Sequence, residues 1–66
     1  MMSQKQIQWN KKRDVLIAKY GEQKLLKAYR LNQEGLGWIA ICGYTAIPLR
    51  QVCAAIQAGE DLVSLA

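Results

Sequence analysis

Residues 35–59, GLGWIAICGYTAIPLRQVCAAIQAG, decide how this chain is expected to fold. The stretch is mostly apolar, and its punctuation falls at Gly43-Tyr44-Thr45. A glycine can enter the left-handed backbone conformation that a tight connection between helices needs, and an apolar residue after it plugs the angle. Thr45 can then cap the next helix by accepting a backbone N–H bond. Ile39 stands four residues before the glycine, and Leu49 and Val52 stand six and nine after it. These three form the expected wedge between a short helix over 37–42 and a second over 46–58. Pro48 falls in the first turn of that second helix, where its missing N–H has no intrahelical partner in any case. Gly59 is the matching stop.

Upstream, residues 22–33 carry Leu25, Leu26, Tyr29 and Leu31 on one side and Lys24, Lys27 and Arg30 mostly on the other, the pattern of an amphipathic helix. Glu34-Gly35 ends it. Asn10 is a candidate cap for an earlier helix reaching Tyr20, with Val15, Leu16, Ala18 and Tyr20 as candidate buried positions. Gly21 either ends that helix or lies within a longer one. Gln4 to Trp9 alternates with period two, which puts Ile7 and Trp9 on one face of a short strand. The expected fold is therefore all-α, a compact bundle of about four short helices. Residues 1–9 form a flexible polar arm, 10–59 the helical domain, and 60–66 a tail whose order the sequence leaves open.

The composition narrows what the chain can do. Its 66 residues make one domain, and a chain of that length buries only roughly 60% of its unfolded surface. Self-association is the expected supplement, so a homodimer is the default. Cys42 and Cys53 sit in apolar helical patterns as small core residues. With no histidine and no CxxC pair, neither a metal nor another cofactor is expected. No catalysis is expected, since the sequence shows no base beside a nucleophile, no pair of carboxylates at usable spacing and no phosphate loop. The uncharged, mostly apolar stretch from Leu36 to Leu49 is shorter than the roughly 20 residues of a bilayer helix. No membrane span or signal-like segment is apparent, and a cytoplasmic location is expected.

Charge is unevenly divided. Residues 1–30 hold eight cations against two carboxylates, a net +6, whereas residues 31–66 hold Arg50 against Glu34, Glu60 and Asp61, a net −2. A concentrated basic half suits a polyanion, because phosphate contacts dominate nucleic-acid affinity.

The run Ala28-Tyr29-Arg30-Leu31-Asn32-Gln33-Glu34-Gly35-Leu36-Gly37 resembles the A..L..EGLS segment that precedes the helix-turn-helix of many small phage, plasmid and transposon regulators. With the turn at Gly43 the resemblance spans residues 28–59. It implies that the helix from Ala46 enters the DNA major groove. Thr45, Ala46, Ile47, Arg50, Gln51 and Ala54 would then face base edges, while Tyr44, Leu49, Val52, Cys53 and Ile56 face the core. Arg50 can form a bidentate pair with guanine, Gln51 can do so with adenine, and Ile47 can meet a thymine methyl. Lys11, Lys12, Arg13, Lys24, Lys27 and Arg30 would anchor phosphates. The implied function is sequence-specific binding of double-stranded DNA as a small transcriptional regulator, a repressor, dimeric on an inverted repeat.

Three features depart from that pattern. The helix before the turn is shorter by nearly one turn, the reading helix carries a single cation, and its surface is rich in alanine at Ala46, Ala54, Ala55 and Ala58. Small residues admit a neighbouring helix as readily as DNA. The alternative is a small protein-binding inhibitor or adaptor that uses its apolar C-terminal helices, a reading motivated by the net −2 charge of residues 31–66. A paired-ribbon DNA binder reading with Lys5 is a further alternative. Trp9 and Trp38 can stack on bases, although with five aromatics in the chain they are first of all core or dimer contacts.

Overall fold

Ser3 starts the first helix. Its hydroxyl oxygen accepts the Gln6 N–H at 3.2 Å, and the Gln6 amide donates to Asn10 Oδ1 one turn later at 3.0 Å. A computed structural model, which describes residues 3–65, accordingly has α1 (Gln4–Tyr20), α2 (Glu22–Gln33), α3 (Trp38–Thr45) and α4 (Leu49–Leu65). No strand occurs among the described residues, so the expected strand over Gln4–Trp9 and the ribbon-based reading of Lys5 are corrected. Glutamine and lysine are good helix formers, and two apolar residues are too few to impose a period of two. The expected arm over 1–9 is helical from Gln4, and the expected tail over 60–66 continues α4 to Leu65; residues 1, 2 and 66 lie outside the described residues.

Trp9, Arg13, Leu16, Ile17 and Tyr20 make the inward stripe of α1, recurring at helical spacing. Leu16 is buried, whereas Val15 and Ala18, also expected in the core, are exposed. Gly21 separates α1 from α2 at φ 87°, and its N–H closes α1 on the Ile17 carbonyl at 2.8 Å. Gly35 ends the α2 region at φ 93°, with the Leu36 N–H returning to the Leu31 carbonyl at 3.1 Å, a left-handed cap that a glycine adopts without a Cβ penalty.

The core comprises Leu16, Leu25, Ala28, Ile41, Ile47, Val52, Ala55 and Ala58. Its centre is the α2–α4 crossing, lined by small residues: Ala28 on one helix, and Ala55, Ala58 and Gly59 on the other, are all buried. Gly59 is not a helix stop. A Cβ there would collide with the Leu25 carbonyl and lie 2.7 Å from Tyr29 Cβ, so the missing side chain is what lets the two backbones meet.

Side-chain bonds fix the direction of α1 against α4. The Trp9 indole N–H donates to Asp61 Oδ2 at 2.6 Å, Arg13 Nη1 reaches the same oxygen at 3.2 Å, and Tyr20 Oη donates to Gln51 Oε1 at 3.4 Å. The start of α1 therefore lies beside the end of α4, and its end beside the start of α4. The spacings agree, since Trp9 to Tyr20 and Gln51 to Asp61 each span about 15–17 Å of helix.

Candidate functional site

The connection between α3 and α4 is Ala46-Ile47-Pro48, three residues beyond the expected Gly43-Tyr44. Gly43 is helical within α3, and Tyr44, expected in the core, is 66% exposed. The left-handed residue is Ala46, at φ 60° and ψ 19°, whose N–H returns to the Cys42 carbonyl at 2.9 Å. Thr45 is buried: its hydroxyl donates to the Ile41 carbonyl at 2.7 Å and accepts the Ile47 N–H at 3.4 Å. It thus braces the end of α3 rather than capping α4 or facing outward. Ile47 has no exposed surface and fills the angle between the helices, whose axes bend by 85°. Pro48 immediately precedes α4, and its carbonyl accepts the Gln51 N–H at 2.8 Å.

These positions revise the expected base-facing set. Thr45 and Ile47 are buried and present nothing to a groove. Gln51 and Ala54 are half-buried, Gln51 being held by Tyr20, while Ala46 and Arg50 are exposed. The outward ridge of α4 instead carries Leu49, Arg50, Cys53 and Gln57. Leu49 and Cys53 were expected in the core; Val52 is there, and Ile56 packs against it. Buried Val52, Ala55 and Gly59, at steps of three and four, fix the inward side of α4, and Leu49 and Cys53 lie outside that stripe.

The six expected phosphate contacts do not form one surface. Arg13 is engaged with Asp61 and, at 4.0 Å, with Asp14. Lys27 and Arg30 line a shallow depression on α2 with Gln23, Leu26, Leu31 and Glu34. At about 100° per residue they stand about 200° and 140° around α2 from buried Leu25, away from the α4 crossing. Lys11, Lys12 and Lys24 are exposed.

Lys19 lies outside the expected phosphate set. Its ammonium is 5.4 Å from the centre of the Tyr20 ring, and Tyr20 bonds Gln51 in the first turn of α4. The available signal was the recurrence Lys5, Lys12, Lys19, which gains meaning once the helix reaches back to Gln4.

Two further features frame the site. Trp38, Ile39 and Tyr44 leave a large part of α3 apolar and exposed, with Ile39 at 79%. At the other end of α4, the Trp9 indole holds the Asp61 carboxyl below its usual pKa, with Arg13 adding to the effect and partial burial opposing it. No single helix among the described residues is long and apolar enough to cross a membrane. Compared with known proteins, the chain matches no family model, no curated protein and no solved structure.

Proposed function

We propose that α3, the turn over 46–48 and α4 form a helix-turn-helix, and that the first half of α4 reads double-stranded DNA in the major groove. The observation that carries this is the 85° bend across a three-residue turn with Ile47 sealed inside it. Helix-turn-helix units join two helices at about 90–120° through such a turn, and the N-terminal residues of the second helix meet base edges. The exposed ridge at the start of α4 is suited to that role. Arg50 supplies a bidentate donor for guanine and Leu49 an apolar contact for a thymine methyl. Occupancy of a promoter then makes the protein a small regulator, a repressor acting as a homodimer through the uncharged surface of α3.

Selection of a randomised duplex pool by the purified protein at about 150 mM salt tests this reading. Enrichment of an inverted repeat supports it and yields the dimer geometry from the half-site spacing. Recovery of unenriched DNA removes the base-reading role of α4.

A second reading has its own support. Trp38, Ile39 and Tyr44 are large apolar or aromatic side chains left exposed on α3, and exposed apolar surface can mark protein contacts. In the first reading a second copy covers it; in the second, a different protein does, and the chain is an adaptor or inhibitor. Sedimentation analysis separates the two. A dimer at micromolar concentration favours the first, and a monomer that retains no DNA favours the second.

A further inference from the structure

We propose that the Lys5–Lys12–Lys19 flank of α1 is the phosphate-binding surface of this protein, holding the backbone of a DNA duplex whose bases α4 contacts. The proposal rests on the DNA reading above; of the cations that the sequence suggested it keeps Lys12, and it adds Lys5 and Lys19.

The three lysines recur at intervals of seven, and α1 is unbroken across them. Two turns of helix separate successive members, so they share one flank at intervals of about 10 Å. All three are exposed, and among the described residues the only ion pairs involve Arg13. The one carboxylate in α1, Asp14, lies about 160° around the helix from Lys12 and does not neutralise the flank. The flank is also placed. Lys19 stands over Tyr20, Tyr20 bonds Gln51 in the first turn of α4, and α1 runs antiparallel to α4 from that point.

The competing cations are less suited. Arg13 is committed to Asp61 and holds α1 onto α4. Lys27 and Arg30 occupy the side of α2 remote from α4, in a depression that also contains Glu34. A duplex lying on the α4 ridge passes Lys19 first, and the next two lysines extend the line of positive charge along the same helix. Such contacts fix register and orientation while base edges supply sequence preference.

The test uses the full chain and a random-sequence duplex, with dissociation constants measured by fluorescence anisotropy across about 50 to 200 mM salt. Two triple variants are compared with the parent: K5Q/K12Q/K19Q on α1 and K24Q/K27Q/R30Q on α2. Each phosphate contact contributes about −0.9 to the slope of log affinity against log salt. The α1 variant is expected to flatten the slope by about 2.7, so that the parent loses roughly fortyfold more affinity over that range. The α2 variant is expected to leave the slope near the parent value. Circular dichroism verifies that both variants stay helical, and K12Q alone, expected to change the slope by about 0.9, supplies the same answer if either triple unfolds. Flattening by the α2 variant but not the α1 variant overturns the proposal while leaving DNA binding intact. A parent protein that binds no duplex at the lowest salt overturns the DNA reading itself, and capture of an acidic protein by the lysine flank would then be the outcome.

Discussion

The two halves of α4 do different work. From Ala55 onward the helix is locked: Ala55, Ala58 and Gly59 are buried against α2, and Asp61 is bonded by both Trp9 and Arg13. Before Ala55 it is open, with Leu49, Arg50 and Cys53 exposed on one side and Val52 alone fully buried on the other. The locked half meets α2 through small residues that let the backbones approach and meets α1 through Asp61, whereas the open half carries Leu49 and Arg50, side chains long enough to reach a partner. A rigid anchor at one end thus presents the other end in a fixed orientation, which is what reading a groove requires.

The largest expected effect breaks the locked half. Gly59→Ala normally favours a helix, but here the new methyl meets the Leu25 carbonyl, so a loss of about 1–3 kcal/mol is expected in thermal or urea unfolding. A stabilised variant would mean that α2 and α4 do not approach so closely. Asp61→Ala comes next. It removes the acceptor for the Trp9 indole and the partner of Arg13, at an expected cost of about 1.5 kcal/mol, together with a change in tryptophan fluorescence.

The same carboxylate predicts a pH dependence. The folded state holds the Asp61 pKa below its unfolded value of about 3.9, so its contribution is complete above that pH. The contribution disappears as pH falls through the lower, folded value. Asp61→Asn should therefore lose the part of the acid destabilisation that begins below about pH 4, measured by urea unfolding at stepped pH. An unchanged acid limb in that variant would place the pH sensitivity elsewhere.

Smaller effects sharpen the contrast at the open end. Gly43 is helical and exposed with free space around it, so Gly43→Ala should stabilise by about 0.5–1 kcal/mol, opposite in sign to the same change at Gly59. Ala46 holds a left-handed conformation that costs an L-residue about 1–2 kcal/mol, and Ala46→Gly should recover part of it. Smallest of all, Arg50→Ala should change stability by no more than about 0.5 kcal/mol while altering base preference in duplex selection. A variant that unfolds would assign Arg50 to the scaffold.

The contrast also shows which parts of the fold the sequence made legible. The α2 boundaries and the stop at Glu34-Gly35 followed from amphipathic spacing and a terminal glycine, and both hold because local signals and packing agree there. The turn lies three residues beyond the one that Gly43 signals, because a glycine permits a left-handed position without requiring it. Here Gly43 is helical and an alanine takes the strained conformation, held by Thr45 and by burial of Ile47. Gly59 misled in the reverse way. Whether a glycine ends a helix or admits another one depends on α2, which is remote in sequence. The bonds from Trp9 and Arg13 to Asp61, spanning 52 and 48 residues, leave no periodic trace. Of the expected site, Arg50 stays outward, whereas Thr45 and Ile47 moved inward with the turn.

Backbone amide NMR of the labelled protein during titration with duplex DNA tests the division of α4 most directly. The account predicts shifts concentrated at Ala46, at Leu49, Arg50 and Cys53, and at Lys19, with Ala55 to Asp61 and the outer side of α2 little changed. Shifts centred on Lys27 and Arg30, or on Trp38 to Tyr44 with none in the first half of α4, would contradict it.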